Sequence, residues 1–381
     1  MHHLNFHIDK IVHLKDKLGL IYKHLILQVF ALSMIGIFIP IYLLTIGFSL
    51  TQVLVLFLVE WTVFGLFAPL YALIISKVGL KEIIILRTVL LPVLLFLLHL
   101  LKYNEFLQKY VYLIVIPLAI TAALHTMSIQ SLFGKHMGTK KHGTKTAKLV
   151  ALPGLFSILA PVIGGLVAGI FGFGALFFLA SVMLIVSLIP ILVFKENVDH
   201  PSFNFLVFHK LKKYVKEMFM IGVIGFSGFV FMGILPIALY LTIGDVSSLG
   251  LLFGLFSLVS ALLIIFTGKL SDKIGIRKVF RIGVLGVGLV LCLMGYYFGT
   301  MIFVGLAIVS GFFAPFRGVP FETHLYNVAR KNKSVLEFLA FKEFSFFIGR
   351  ALFLVVIILL GSRLDLAYYI GGISSLLLFV F

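Results

Sequence analysis

The sequence predicts an all-α integral membrane protein with twelve transmembrane helices in two pseudo-symmetric six-helix bundles. Three observations predict this fold class. Of the 381 residues, 61% are hydrophobic and only 12% are charged, whereas about a quarter of the residues in soluble domains are charged. Apolar runs long enough to cross a bilayer recur along the whole chain. Short segments of the first half also return in the second half.

Two pairs of similar segments indicate that the chain is a duplication. Residues 268–278 resemble residues 72–82, which lie 196 positions earlier. The segment that begins at Pro40 returns with nearly the same offset as the segment that begins at Pro236. Parallel repeats that each contain several spans are typical of secondary transporters whose halves rock around a central site. Solute transport is therefore the leading hypothesis.

About 20 apolar residues cross a bilayer core, and we predict twelve such spans. The first bundle, 24–194, contains spans at 24–46, 50–75, 83–101, 110–133, 149–170 and 173–194. The second bundle, 218–381, contains spans at 218–241, 249–267, 279–298, 301–321, 336–360 and 366–381. Residues 195–217 are the predicted cytoplasmic linker, and residues 1–23 are predicted to form a cytoplasmic amphipathic segment on the membrane surface.

The basic residues are concentrated in alternate loops. The formal net charge is +17, and most lysines and arginines lie in the N-terminal segment and in the loops after the even-numbered spans. The other loops hold only Lys102, Lys109 and Arg363. The positive-inside rule then predicts a plasma-membrane protein with both termini in the cytoplasm, and anionic lipids as partners of the basic loops. Because the charges are divided among loops, no nucleic-acid partner is predicted.

The repeated loop carries a resemblance to a known family. Its pattern Gly-x-x-x-Asp-x-x-Gly-x-Arg-Lys, between the second and third spans of a half, resembles the major facilitator superfamily, as do the twelve spans in two halves. The resemblance implies a conformational latch, with a weaker copy in the first half, where Ser76 replaces the acid. We expect the glycines to permit a tight turn, the basic residues to anchor to anionic headgroups, and the acid to face the start of span 5 near residue 149. The latch positions are Gly268, Asp272, Gly275, Arg277 and Lys278, with Gly79 and Lys81 in the first half.

Span 5 contains a second motif, Ala160-Pro161-Val-Ile-Gly164-Gly165. It is similar to the Gly-Pro-x-x-Gly-Gly motif of drug/proton antiporters in the family, although alanine replaces the first glycine. The resemblance slightly favours proton-coupled efflux. Alternatively, Pro161, Gly164 and Gly165 form a helix-packing motif that is compatible with either transport direction.

Two charged residues lie near the middle of predicted spans. At about 1.5 Å per residue, Glu60 in span 2 and Arg350 in span 11 both lie roughly 15 Å from the same membrane surface. The family resemblance implies that these two spans meet across the halves. We therefore predict an ion pair between Glu60 and Arg350 that breaks or re-forms during transport. The alternative is that each residue separately lines a wet cavity or extends to the membrane surface.

Polar side chains of spans 4 and 10 fall on single helix faces. The family resemblance implies that spans 1, 4, 7 and 10 surround the central site, so these faces are candidates for the substrate cavity. The histidine of span 4 would either carry protons or hydrogen-bond between helices. The arginine of span 10 would bind an anionic substrate or pair with Glu322. The predicted cavity residues are Tyr42, Thr121, His125, Ser128, Tyr240, Ser310 and Arg317.

The sequence thus predicts a secondary transporter that moves a small solute of unknown class by rocker-switch alternating access. Proton-coupled efflux is one form of this function. The predicted transporter is a monomer without cofactor or metal. The chain has no Gly-x-x-x-x-Gly-Lys-[Ser/Thr] loop for ATP. The alternative is a transporter-like sensor or lipid scramblase without solute flux. A membrane enzyme with His125 or His324 as a base is less favoured, because no paired carboxylates, metal-ligand cluster or nucleophile motif accompany these histidines.

Overall fold

The computed structural model describes residues 17–136, 154–194, 201, 203, 214–329 and 335–380. Within these ranges the regular structure is entirely helical. The predicted amphipathic N-terminus up to residue 16, the basic loop at 137–153, most of the linker and the start of span 5 lie outside the described residues.

The helices follow one another in the order expected for two sets of six spans. The α-helices of the first half are Lys17–Gly36, Ile39–Thr45, Leu50–Leu66, Ala68–Val78, Leu80–Leu100, Glu105–Lys109, Tyr112–His136 and Ala160–Val193. Those of the second half are Val215–Phe229, Leu235–Ile243, Val246–Ile274, Ile276–Tyr296, Met301–Ala329, Val335–Leu359 and Leu364–Leu377. Short 3₁₀ turns at Leu101–Tyr103, Ser157–Leu159 and Leu378–Val380, and a π-helical turn at Val230–Ile234, extend or join them.

Twelve spans account for these helices. In the described part of the chain, eight segments are long and apolar enough to cross a membrane, and Leu50–Leu66 with Ala68–Val78 form a ninth that is bent by 55°. One of the eight, Gly154–Val193, has 40 residues, about twice the length that one crossing needs, and holds spans 5 and 6. Val335–Leu359, which contains several charged residues, and the short Leu364–Val380 complete the set.

Span 6 returns toward the side from which span 5 started. The chain breaks at Gly172, whose φ of 83° interrupts the helix. Beyond it, Phe173 contacts Tyr42 near one end of span 1, whereas the Ser187 carbonyl lies 2.8 Å from His24 Nδ1 near the other end. The two halves of this long segment are therefore antiparallel spans.

Prolines break the first span of each half at equivalent positions. Pro40 lies in the first turn of Ile39–Thr45, and Pro236 lies in the first turn of Leu235–Ile243 after the π-helical turn. Pro69 likewise begins the second segment of span 2. Proline has no backbone N–H and clashes with the preceding turn, so it interrupts the regular helical hydrogen bonds at its position. The Pro40 and Pro236 breaks are a structural counterpart of the sequence repeat.

The latch loops differ from the sequence expectation. Gly79 and Gly275 adopt φ values of 110° and 96° at the turns between spans 2 and 3 and between spans 8 and 9. Gly268 and Asp272 instead lie inside the helix Val246–Ile274, so the expectation of a turn at Gly268 was wrong. The predicted span ended at residue 267 because apolar character stops there, but the helical hydrogen bonds continue to the first residue that breaks them.

Several other boundaries also extend beyond the apolar runs. Span 1 begins by Lys17, span 7 begins at Val215 inside the predicted linker, and span 10 continues to Ala329. Apolar character marks only the part of a helix that hydrocarbon covers, whereas the helix itself continues into the polar region. The number and order of spans are unaffected.

The halves meet along two pairs of spans, 2 with 11 and 5 with 8. We call the membrane side that carries the turns at Gly79 and Gly275 the basic side, and the other the opposite side. On the opposite side one buried cluster joins both halves, with Phe38 and Leu54 of the first and Ile234 and Phe353 of the second. On the basic side the core is divided into one cluster for each half, except that the first turns of span 11 join the cluster of the first half.

Candidate functional site

Two histidines and a glutamine form a buried polar cluster in the first half. His125 of span 4, His24 and Gln28 are 4%, 0% and 2% exposed. The Gln28 side-chain nitrogen lies 2.9 Å from His125 Nε2, and His24 Nε2 lies 3.4 Å from the same atom. His24 Nδ1 is 2.8 Å from the Ser187 carbonyl oxygen of span 6. The cluster therefore joins spans 1, 4 and 6.

The geometry of this cluster suits one shared proton. A carbonyl oxygen only accepts hydrogen bonds, so His24 Nδ1 is the donor to Ser187 and Nε2 of a neutral His24 is an acceptor. His125 Nε2, which accepts from the Gln28 amide, is an acceptor too. Two acceptor nitrogens thus face each other unless a further proton lies between them. An added proton would convert this contact into a charge-assisted hydrogen bond.

Three charged side chains interact electrostatically with the cluster or with one another. Arg87 of span 3 is 8% exposed; its Nη1 donates to the Ala122 carbonyl at 3.4 Å, and its Nε has no partner. Arg87 interacts electrostatically with Glu60 and with both histidines, and Glu60 interacts in turn with Arg350. A charged belt therefore extends from the first bundle to the interface between the halves.

The direct Glu60–Arg350 ion pair that the sequence predicts is not formed in this structure. Among the described residues, no contact within 4.0 Å joins the two side chains. The Arg350 guanidinium lies instead 3.9 Å from the ring centre of Trp61 and 4.8 Å from that of Phe346. The planar cation stacks on aromatic faces, which substitute for the carboxylate. Spans 2 and 11 do meet here, as the family resemblance implied.

The face of span 4 does not line an open cavity. Thr121 and Ser128 are buried, as His125 is. The Thr121 hydroxyl donates to the Pro117 carbonyl of its own helix at 2.8 Å, and Ser128 Oγ has no partner. His24 and Gln28 of span 1 lie against His125. Sequence periodicity identifies this face as polar but does not show that it is buried.

Arg317 of span 10 lies inside the second bundle. It is 8% exposed, and its Nη1 donates to Ser227 Oγ at 3.0 Å and to Ser375 Oγ at 3.4 Å. Its guanidinium also lies 5.6 Å from the Phe231 ring. In the described chain no ion pair with Glu322 is formed. Arg317 is thus held by spans 7 and 12, rather than exposed to a substrate between the halves.

The remaining cavity candidates have local roles. Ser310 is fully buried and donates to the Ala307 carbonyl at 2.6 Å. Tyr42 is 2% exposed, and its hydroxyl donates to the Leu98 and His99 carbonyls at 3.1 and 2.9 Å. Tyr240 is half-buried near the end of span 7. The structure does not bring these three residues together with His125.

The third span of each half makes a similar contact near its start, through the latch residue Lys81 in the first half and through Arg281, which is outside the predicted latch, in the second. Lys81 Nζ donates to the Phe194 carbonyl at 2.6 Å at the end of span 6. Arg281 Nε donates to the Phe379 carbonyl at 3.0 Å near the end of span 12. Each cation binds a carbonyl at a helix C-terminus, where the helix dipole favours positive charge. Asp272, Arg277 and Lys278 are exposed.

The glycines of span 5 lie at close helix contacts. Gly164 lies against the backbone of Met34, and Gly165 lies against Gly250 of span 8. A Cβ atom on Gly165 would be 2.8 Å from the Gly250 Cα, and a Cβ on Gly250 would be 2.5 Å from the Pro161 oxygen. The motif thus lies where the two halves approach most closely along this pair of spans.

Sequence reasoning missed His24, Gln28 and Arg87 as site residues. His24 and Gln28 are four residues apart and therefore share a helix face, which was a usable signal. Arg87 lies in the second turn of span 3 and is buried. In the described residues, no group of three His, Cys, Asp or Glu side chains could hold a metal ion.

Comparison with known proteins now assigns the family. The family model of the Major Facilitator Superfamily matches residues 24–211 and 218–381. The chain belongs to the Major Facilitator Superfamily. A mutant of the nucleoside transporter NupG has the same fold, with a TM-score of 0.73 and 12% sequence identity over 96% of this chain and 98% of that chain. A search of curated protein sequences found no significant match.

Membership of the Major Facilitator Superfamily confirms the predicted fold class of twelve helices. It makes this integral membrane protein a solute transporter and not an enzyme. The likeness to NupG, at 12% identity, concerns the fold alone.

Proposed function

We propose that the protein is a secondary transporter that moves a small solute by rocker-switch alternating access. The observation that carries this proposal is the distribution of the core among the described residues. It is continuous between the halves on the opposite side, whereas on the basic side it forms two clusters that the halves share only through the first turns of span 11. An alternating-access carrier needs two such states, each closed on one side. The positive-inside rule supports a cytoplasmic basic side, with both termini in the cytoplasm of a plasma-membrane protein.

We further propose that transport is coupled to protons through His24 and His125. The acceptor nitrogens that face each other at 3.4 Å support this role, since one proton would tighten the contact between spans 1 and 4. Glu60, which interacts electrostatically with Arg87 and Arg350, would pass the change to the interface between the halves. The efflux direction is proposed only from the similarity of residues 160–165 to the antiporter motif.

The first experiment is solute flux in proteoliposomes with an imposed proton gradient. Drug-like cations, sugars, amino acids and organic anions are screened as solutes, with the Glu60→Gln variant measured alongside the wild-type protein. Gradient-driven flux that Glu60→Gln abolishes supports a coupled carrier. Ligand binding without flux of any solute would instead favour a sensor or lipid scramblase.

The proton proposal is tested by His24→Gln and His125→Gln, with His99→Gln as the matched control. His99 lies near the opposite end of span 3, beside Tyr103 and away from the cluster. We expect gradient-driven accumulation to be lost in the first two variants, while solute exchange without net proton movement persists. Equal behaviour of all three variants would exclude the pair as the coupling site but leave solute transport intact.

The Glu60–Arg350 ion pair is proposed for the state that is closed on the basic side. We expect each variant that removes one of the two charges to lose transport. We expect the double variant that exchanges the two charges to recover it. Additive losses without recovery would contradict the pair.

A further inference from the structure

A cavity of about 370 Å³ lies at the basic end of the second half, between spans 7, 9 and 10. All three spans belong to the second half. Its volume falls within the range of sites for small molecules. The proposed transport function does not account for it.

The cavity has a charged rim and an apolar wall. Lys216 and Glu217 lie in the first turn of span 7, and Arg277 lies in the first turn of span 9. Met220, Phe280 and Phe321 form much of the wall and are 7%, 6% and 4% exposed. Two cations and one carboxylate leave the rim with a positive balance, and His324 adds a group that can become cationic.

The cavity lies at the level where lipid headgroups meet the protein. Its charged residues occupy the first turns of spans 7 and 9, and His324 lies near the end of span 10. The buried side chains extend from these turns toward the membrane interior. A ligand that fits this arrangement has a negative head and an apolar body.

We propose that this cavity binds the phosphate headgroup of an anionic membrane lipid, with the upper part of an acyl chain against Phe280 and Phe321. Basic pockets between transmembrane helices are typical sites for such headgroups. Lys216 and Arg277 bind the phosphate, and Glu217 accepts a hydrogen bond from a headgroup hydroxyl. Inorganic phosphate would satisfy the cations but leave the apolar wall without a partner, and burial of that wall favours the lipid.

The test measures phosphatidylglycerol that remains bound to the full-length protein in phosphatidylcholine nanodiscs, counted by native mass spectrometry. Lys216→Gln with Arg277→Gln removes both rim cations. Lys269→Gln with Lys273→Gln removes two exposed charges from the same region without altering the cavity lining. We expect the first pair to weaken binding by about thirtyfold, in line with the contribution of two basic residues near anionic lipids, and the control pair to have little effect. Equal loss in both pairs would mean general attraction to the membrane surface and would overturn the site.

A second variant tests the apolar wall. Met220→Trp places a larger side chain in the cavity and reduces its free volume without changing its charge. We therefore expect bound phosphatidylglycerol to decrease, while thermal unfolding shows that the protein remains folded. Undiminished binding would place the lipid elsewhere. Inorganic phosphate is added as a competitor to wild-type protein, and displacement of the lipid by phosphate would identify a soluble-anion site and overturn the lipid proposal.

Discussion

Arg350 illustrates how a cation at mid-membrane depth can be stabilised without a direct carboxylate contact. Its guanidinium lies 3.9 Å from the ring centre of Trp61, in the other half of the molecule, and its Nε has no hydrogen-bond partner. The face of an indole ring attracts a cation electrostatically. Glu60, the residue before Trp61, interacts electrostatically with the same guanidinium.

Removal of the aromatic face is expected to destabilise the contact between spans 2 and 11. Trp61→Leu should lower the thermal unfolding temperature, since a desolvated cation–π contact contributes about 2 kcal/mol. Trp61→Phe retains a ring and should have a smaller effect. Thermal unfolding in detergent measures both variants, and equal stability of Trp61→Leu and wild type would show that the stacking contributes nothing.

Gly165 and Gly250 make a close backbone contact between spans 5 and 8. Gly165→Val should separate these spans and lower the unfolding free energy by about 1–3 kcal/mol, the usual cost of overpacking. Gly305→Val is a suitable control, because it places the same side chain in a span where nothing lies within 4 Å of the added Cβ. Similar unfolding temperatures for the two variants would contradict a packing role for Gly165.

At the scale of elements, each half ends with a helix whose C-terminus binds a cation from the third span of that half. Lys81 donates to a carbonyl at the end of span 6, and Arg281 donates to a carbonyl near the end of span 12. They do not occupy equivalent positions of the repeat, since Arg277 corresponds to Lys81. Both halves therefore contain this contact, although the cation that makes it comes from a different position of the third span in each half.

The two glycines of the second latch segment are expected to differ in their response to alanine. Gly275 has a φ of 96°, which L-residues rarely adopt, and Gly275→Ala should cost about 1–2 kcal/mol. Gly268 lies inside a helix, so Gly268→Ala should stabilise the protein by about 0.5–1 kcal/mol. Nothing lies within 4 Å of an added Cβ at either position, so thermal unfolding compares the backbone alone. Destabilisation by Gly268→Ala would indicate that this glycine has a role outside the present conformation.

At the scale of the whole molecule, the two halves are joined on the opposite side. The Thr51 and Ser362 hydroxyls lie 2.9 Å apart and link the start of span 2 to the turn before span 12. On the basic side the halves have separate cores, apart from the first turns of span 11. Among the described residues, the halves are thus joined more extensively on the opposite side than on the basic side.

A disulfide at this contact should hold the protein in the present state. We expect Thr51→Cys with Ser362→Cys, in a Cys292→Ser background, to lose transport on oxidation and to recover it on reduction. Each single cysteine variant is the control and should be insensitive to oxidant. Full transport by the oxidised, cross-linked protein would mean that the opposite side does not need to open at this contact.

The fold was predictable because the hydrocarbon core of a membrane requires long apolar helices. The apolar runs along the sequence therefore give the number and order of the spans. The repeat of the segments that begin at Pro40 and Pro236 indicated the duplication, but it did not predict that the helix changes at these prolines. The candidate site was predictable only in part. Periodicity identified His125 on a polar face, but it could not show that His24 and Gln28 of another span would complete the cluster.

By itself, the sequence determined the membrane class, the twelve spans and the duplication, since each depends on local chain properties that no distant contact can change. Tertiary structure alone decided that Arg350 stacks on Trp61, that Arg317 lies inside one bundle, and that the core is divided on the basic side. The physical reason is that a polar side chain in a membrane takes whichever partner three-dimensional packing supplies, and helix periodicity specifies only the face from which it extends.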